Sequence, residues 1–399
     1  MQKPLTNFDR LFALMDESGL DAVIGTLPEN VTYLTGFWAM TQWVRRGPQT
    51  YAFQPARGKG KAAIATSSGL LDLASDPDVW VSDVRRFDDG QIEIAPNVTL
   101  SAEDVAHHNM LREPHYKTPV GALVAIIKDN NLEDAVIGID EVGITPSCFD
   151  ELVDALPGAT FKRANSFLQK IRSIKTEGEI ERLRGAARVG ELSIAAALSI
   201  AAEGVTEIDF LREFSACTAR NDGLPVSICI GFGERSAMSN VQPTLNPLKR
   251  GDVIRFDVGG RYKHYRSDIS RIACFGEPSD KIRKYHHALH KGIQRGYEII
   301  RPGLAVADLF EAVMQTVCRE GLPHYKRNHV GHGIGLDGYD FPNISPGTDA
   351  VLEENMVLCL ETPYYELGFA GLQVEDMLVV RKDGAESLMT TDGALKVLG

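Results

Sequence analysis

Val253-Ile254-Arg255-Phe256-Asp257-Val258-Gly259-Gly260, followed by Ser267-Asp268-Ile269-Ser270-Arg271, is the stretch whose reading decides the fold. Two apolar-rich runs flank a short polar break, which predicts two antiparallel strands joined by a hairpin turn around Arg261 to Lys263. A carboxylate on each strand then faces its partner. Three further charged segments lie downstream: Gly331-His332-Gly333-Ile334-Gly335-Leu336, Met356-Val357-Leu358-Cys359-Leu360-Glu361-Thr362-Pro363, and Leu372-Gln373-Val374-Glu375-Asp376-Met377-Leu378-Val379-Val380. Small neighbours around His332 let backbone pass close to an ion or substrate. Glu361 and Glu375 are charges inside strand-like apolar runs, and such charges must be paired, protonated or metal-bound.

Together Asp257, Asp268, His332, Glu361 and Glu375 form a hard-cation ligand set. Like charges a few Å apart cannot all stay ionised, and two divalent ions resolve the conflict. Oxygen donors with one imidazole favour Mn²⁺, with Co²⁺, Fe²⁺ or Zn²⁺ as alternatives, over a thiolate-seeking metal or over Ca²⁺ or Mg²⁺ alone. Any one of these acids taken singly is more often a strand-end or turn residue than a ligand, so the joint pattern carries the inference.

At 399 residues the chain exceeds what one hydrophobic core usually supports, and about two domains are expected. With 44% hydrophobic and 24% charged residues the composition is that of a globular protein rather than a disordered one. A net charge of −12 repels nucleic acid and anionic membranes at long range, leaving a small molecule as the expected partner. Six cysteines without C-x-x-C spacing read as reduced core thiols, which fits the cytoplasm. The N-terminal stretch resembles neither a signal nor a transit peptide, and no apolar run has the length of a membrane span.

Residues 1–165 alternate helical and strand patterns. Phe8 to Met15 recur at helical spacing up to a stop at Gly19. Strands are expected at Ala22–Gly25, Tyr51–Phe53, Ala62–Ala65, Val79–Val81 and Ala135–Asp140, and helices from Gly69 and from Pro119. Element order makes this an α/β domain. The polar segment 85–117, with Arg85, Arg86, His107, His108 and His115, reads as loop or short helix whose histidines are surface residues. The boundary is expected near Asn165-Ser166, with residues 166–399 forming an α+β catalytic domain of antiparallel strands with helices between them. Its first long helix carries Glu177, Glu179, Glu181, Arg182, Arg184 and Arg188 on a solvated face. His286, His287 and His290 read as a surface cluster, not a metal site.

The ten residues between Asp257 and Asp268, the Gly331–Leu336 block, Glu361-Thr362-Pro363 and Val374-Glu375-Asp376 resemble the "pita-bread" metallopeptidase family of methionine aminopeptidases, aminopeptidase P, prolidase and creatinase. Ile171-Arg172-Ser173-Ile174-Lys175 and Asn30-Val31-Thr32-Tyr33-Leu34-Thr35-Gly36-Phe37 resemble segments of the prolidase branch, so the likeness spans the chain. It implies that Asp257 binds one metal with both oxygens, that His332 and Glu361 bind the other, and that Asp268 and Glu375 bridge them. It further implies hydrolysis of a C–N bond in a dipeptide or other small substrate by a hydroxide shared between the metals, with Glu361 as proton shuttle, in a homodimer.

Departures from that pattern bear on the substrate. Where the peptidases carry three further histidines, Asn240, Asn328 and Tyr339 stand here. Asn and Tyr still donate hydrogen bonds to an oxyanion, but do not take up a proton near neutral pH. His329 lies one position beyond the aligned site, a shift that on a strand points it to the other face. The catalytic candidates are therefore Glu361, Tyr339, Asn240 and His329. The substrate-binding candidates are Trp38, with Trp43 and Arg45 beside it, and His264, Arg266 and Arg327, with Tyr365 of the same grade. Two other readings stay open: a lyase similar to the one that cleaves dimethylsulfoniopropionate, against which Gly259 replaces that enzyme's additional acid, and a non-enzymatic binding protein, which usually loses ligands that are all kept here.

Overall fold

The computed structural model describes residues 4–45 and 49–399, the side chain of Arg45 excepted, so the expectation that Arg45 binds substrate lies outside the described residues. The chain divides into two compact units, Met1–Arg172 and Ser173–Gly399.

The first unit has strands β1 (Ala22–Gly25), β2 (Tyr51–Pro55), β3 (Ala63–Ser67), β4 (Asp83–Phe87), β5 (Val136–Ile139) and β6 (Thr160–Arg163). They form one mixed sheet in the order β4-β3-β2-β1-β5-β6, with β1–β2 and β2–β3 antiparallel and the other neighbours parallel. Its helices are α1 (Phe8–Ser18), α2 (Pro28–Thr35), α3 (Met40–Arg45), α4 (Ala102–Arg112), α5 (Pro119–Asp129), α6 (Pro146–Ala155) and α7 (Asn165–Arg172). Local chemistry sets their ends. Asn7 caps α1, Gly19 closes it in the left-handed region, and Thr118 and Thr145 cap α5 and α6 ahead of a proline in the first turn.

Some expectations shift. No strand forms at Val79–Val81; it begins at Asp83 instead, where Arg85 pairs with Asp83 and Asp129 and makes a buried edge look polar in sequence. Residues 85–117 are loop and short helix as expected, apart from the end of β4 at 85–87; α4 buries none of its residues fully, and of the histidines His115 is exposed whereas His107 and His108 are half-buried. The division at Arg172 rather than Asn165 follows from α7: the Arg172 guanidinium donates to Asn30 Oδ1, and Lys170 O accepts from Arg10 Nε at 3.2 Å.

The second unit is built on a ten-stranded sheet. Its strands are β7 (Gly223–Phe232), β8 (Val253–Tyr262), β9 (Tyr265–Arg266), β10 (Ile269–Phe275), β11 (Gly331–Gly333), β12 (Asp340–Asn343), β13 (Val357–Glu361), β16 (Glu375–Arg381), β17 (Gly384–Ser387) and β18 (Lys396–Leu398); β14 (Tyr364–Glu366) and β15 (Ala370–Leu372) form a separate hairpin. The main path runs β12-β11-β13-β16-β10-β8-β7, with β9, β17 and β18 pairing at its sides. Helices α8 (Glu177–Ser199), α9 (Glu207–Arg220), α10 (Asp280–Ile299) and α11 (Val306–Glu320) complete the unit.

One parity runs through these strands. Phe256 packs its ring against Phe210 of α9, and Leu360 fills the space beside Gly296 of α10, where a Cβ would meet it at 2.3 Å. Asp257 and Glu361, the next residues along, therefore turn to the opposite face.

The charged side of α8 is not wholly solvated. Glu177 and Arg184 pair with Arg381 and Glu386, and Glu179 is 1% exposed, closing a capping box with Thr176 and accepting from Tyr265 Oη at 3.1 Å. His286 is likewise buried rather than on the surface. Among the described residues no helix is long and apolar enough to cross a membrane.

Burial raises the Glu179 carboxyl from its ordinary 4.5 to about 7. The folded protein thus holds this proton more tightly than the unfolded chain. The associated stability, about 3 kcal/mol for a shift of this size, is complete below pH 4.5 and is lost as pH rises through 7. Glu179→Gln keeps an acceptor for the cap. Its Tm should approach that of the wild type in the acid range and exceed it above pH 7; parallel pH profiles of Tm would contradict this.

Candidate metal centre

The hairpin β8–β9 turns at Lys263-His264, both at positive φ, rather than at Arg261–Lys263. This register sets Ser270 opposite Asp257 and keeps Asp257 and Asp268 on one face. Across the sheet Glu361 lies directly opposite Glu375, Glu375 opposite Ser270, and His332 opposite Cys359, two residues before Glu361. Directly opposed residues share a face, so all five candidate ligands converge there. The glycines beside His332 are needed for this approach. A Cβ on Gly331, at φ +145°, would lie 2.1 Å from Cys359 O, and one on Gly333 would lie 2.3 Å from Phe341 O.

Donor atoms fall into two groups, each within 4.8 Å: Asp257, Asp268 and Glu375, and His332, Cys359 and Glu375. Glu375 belongs to both. His332 Nε2 is 4.0 Å from both Asp268 Oδ2 and Glu375 Oε1, so Asp268 also lies between the two halves. His332 Nδ1 is 3.0 Å from Gly333 O, a contact that leaves Nε2 for the site.

Charge in this cluster is unbalanced. Burial first, then the neighbouring carboxylates, hold Asp268 and Glu375 well above the usual carboxylate range; burial also raises Asp257, against the opposing pull of Arg255. His332 is shifted down by burial, which favours the neutral imidazole. Acids that resist ionisation without a counter-charge and a neutral imidazole among them fit a site for divalent cations.

Of the other candidates, His329 is brought to the centre: its Nε2 is 3.0 Å from Glu361 Oε1 and its Nδ1 2.9 Å from Asn328 Oδ1. The expectation that it faces away fails because residues 325–329 pair in no strand, the ladder starting only at Val330, so the alternation of faces does not apply to His329. Tyr339 stacks on His332, ring centroids 3.9 Å apart, while remaining 61% exposed. Burial and the surrounding acids push its phenol pKa up, so it stays a donor at neutral pH. Asn240 is exposed on the loop that follows Ser236. Arg266 sets its guanidinium against Gly338 and its charge against Asp268, and Arg327 lies 5.9 Å from the Tyr365 ring. His264 forms the hairpin turn, and Trp38 belongs to the first unit.

Three residues of the centre escaped the sequence reading: Arg255, Gln373 and Cys359. Each stands two positions before a ligand, so strand alternation turns it to the same face. Gln373 Nε2 lies 3.4 Å from both Glu361 Oε2 and Glu375 Oε2.

Comparison with known proteins agrees with this geometry. The model of metallopeptidase family M24 matches residues 181–382. The chain belongs to metallopeptidase family M24. The Creatinase/Prolidase N-terminal domain model matches residues 8–174 ahead of it. An Xaa-Pro dipeptidase of Lactobacillus delbrueckii subsp. lactis is 26% identical over 396 residues, covering 98% of this chain and 99% of the relative. That of Pyrococcus furiosus is 28% identical over 237 residues, covering 59% and 68%. Among solved structures, an Xaa-Pro dipeptidase from Bacillus anthracis superposes with a TM-score of 0.80 at 23% identity over 98% and 99% of the two chains. The X-Pro aminopeptidase of Thermotoga maritima gives 0.78 at 22% identity with the same coverage. These agree with the pita-bread fold of an M24 metallohydrolase.

An M24 centre with this charge excess should be stabilised by its cation. Adding a divalent transition metal at about a hundred times its Kd should add about 2.7 kcal/mol of stability, seen as a Tm rise of several degrees. Asp268→Asn should lose most of that rise, and a Tm in this variant that responds to metal as the wild type does would contradict the assignment.

Proposed function

We propose that this M24 protein hydrolyses a C–N amide bond in a small substrate of the Xaa-Pro dipeptide type, using two divalent ions, Mn²⁺ first among them. The observation that carries the reading is the pair of donor groups sharing Glu375 on one sheet face. The names of the full-length relatives support the substrate class. Asp257, Asp268 and Glu375 would hold one ion, and His332 and Glu361, with Asp268 and Glu375 in common, the other. Bound there, such ions polarise a carbonyl and lower the pKa of water.

Around them the protein's own groups have separable tasks. Glu361 would take the proton released by the attacking water and deliver it to the leaving nitrogen, with His329 Nε2, 3.0 Å from Glu361 Oε1, beside it to relay that proton and Asn328 Oδ1, 2.9 Å from Nδ1, orienting the ring. Tyr339, a neutral phenol at physiological pH, would donate a hydrogen bond to the developing oxyanion. Arg266 and Arg327 would meet a substrate carboxylate. A lyase reading gains nothing from the structure, since a Cβ at Gly259 would lie 2.1 Å from Ser267 O and leaves no room for a further acid. Six cysteines, all free, support the cytoplasm as the place of work, and the family resemblance supports a homodimer.

The test is a screen of Mn²⁺-loaded protein against Gly-Pro and Ala-Pro dipeptides, longer X-Pro peptides, creatine-like ureas and small betaines, with elemental analysis alongside. About two transition-metal ions per chain and dipeptide turnover are expected. Asp268→Asn should lower kcat/KM more than about a thousandfold, because several kcal/mol of charge stabilisation are removed. His329→Ala should lower kcat about a hundredfold. Full metal occupancy with no C–N hydrolysis of any substrate would sink the proposal.

A further inference from the structure

Arg255 is 0% exposed, in a strand otherwise apolar up to Asp257. A buried guanidinium is tolerated only when its donors are filled. Arginine has five N–H donors, and here each has an acceptor. Nε donates to Ser236 O at 2.9 Å; Nη2 donates to Met238 O at 2.6 Å and Ser239 O at 2.9 Å; Nη1 donates to Asp257 Oδ2 and to Gln373 Oε1, both at 3.1 Å.

These five acceptors fall into two sets with different roles. Three are carbonyls of the segment that leads into Asn240, so one guanidinium plane sets the path of that loop. The other two belong to the metal centre. Asp257 is held directly. Gln373 is held through its amide oxygen, which also accepts from Tyr365 Oη at 3.1 Å, and this fixes the amide so that Nε2 points at Glu361 and Glu375. The Tyr365 ring lies under the guanidinium at 5.0 Å. A lysine at 255 keeps the charge but presents its donors from one point, and does not reach both sets.

We propose that Arg255 is a positioning residue that joins the metal ligands Asp257, Glu361 and Glu375 and the Ser236–Ser239 loop into one assembly, so that filling the centre and ordering the loop that presents Asn240 are coupled. The proposal rests on the reading of the site as a metal centre. Coupling of this kind is reciprocal: whatever the metal gains from an ordered loop, the loop gains from the metal.

The experiment measures amide hydrogen exchange of residues 238–241 and Mn²⁺ affinity in the full-length protein, with and without Mn²⁺, for the wild type, Arg255→Lys and Gln373→Met. In the wild type Mn²⁺ should slow exchange in this segment by about fivefold or more. Arg255→Lys should exchange faster without metal, lose the response to Mn²⁺, and bind Mn²⁺ about 10–100-fold more weakly. Gln373→Met should keep wild-type loop exchange without metal, because Arg255 still holds the carbonyls, yet bind Mn²⁺ about tenfold more weakly. Folded Arg255→Lys with unchanged affinity and an intact exchange response overturns the proposal. Should that variant not fold, wild-type Mn²⁺ affinity in Gln373→Met overturns it instead. A wild type that binds no Mn²⁺ overturns the metal reading and the coupling together, whereas loop exchange in metal-free Arg255→Lys still tests the anchoring by itself.

Discussion

Everything at the centre depends on cross-strand register. Glu361, Glu375, Ser270 and Asp257 lie in one row across β13, β16, β10 and β8. A slip of one residue in any of these strands would turn its ligand toward the helices and bring an apolar neighbour, Leu360 or Phe256, to the metal face. The same alternation therefore specifies the hydrophobic core and the ligand set at once. Phe256 against Phe210 and Leu360 beside Gly296 are as much a part of the metal centre as its carboxylates, because they make the alternative registers costly.

That row concentrates negative charge where little water reaches, and the protein offsets it from both sides of the sheet. On the ligand face Arg255 and the amide of Gln373 donate to three of the acids. On the opposite face Arg271 pairs with Asp376 at 2.8 Å and donates to Glu375 O at 2.7 Å, which holds β16 without touching the Glu375 carboxylate. Burial, and then the neighbouring carboxylates, still hold Asp268 and Glu375 above the usual range, so these offsets leave charge uncompensated. Such a remainder of charge fits the divalent cations proposed for the centre.

Much of this was legible in the sequence because it was written in short-range patterns. Helix α1 ends at Gly19, α5 opens at Pro119, and the five ligands stand out as charges in strand-like runs. What was not legible depended on contacts distant in sequence. Strand β4 hid behind Arg85, whose partners Asp83 and Asp129 make its charge compatible with a sheet edge. Glu179 looked like one more solvated charge until Tyr265, 86 residues away, closed over it. The boundary was drawn early because α7 carries no sign of which unit holds it, a matter settled by Asn30 and Arg10. Arg255 and Gln373 did carry a signal, a polar residue two places before a ligand, that alternation alone turns into a shared face.

His329 shows how a one-residue displacement in sequence need not displace chemistry. Reading its face from strand parity presupposes a strand, and residues 325–329 form none. Freed from the ladder, the chain brings the imidazole to Glu361 while Asn328, at the position where the family's histidine stands, takes up the ring's other nitrogen. In the proposed reaction the pair would divide between two residues what one histidine does alone, Asn328 orienting the ring and His329 exchanging the proton. Tyr339 alters the opposite wall by laying a neutral ring over His332. With an imidazole retained on the Glu361 side and a phenol on the His332 side, the centre keeps groups suited to the proposed amide hydrolysis while changing the shape and polarity of the space beside the ligands. Since the five ligands match the family pattern, any difference in substrate choice within the M24 family is to be sought in these surrounding residues.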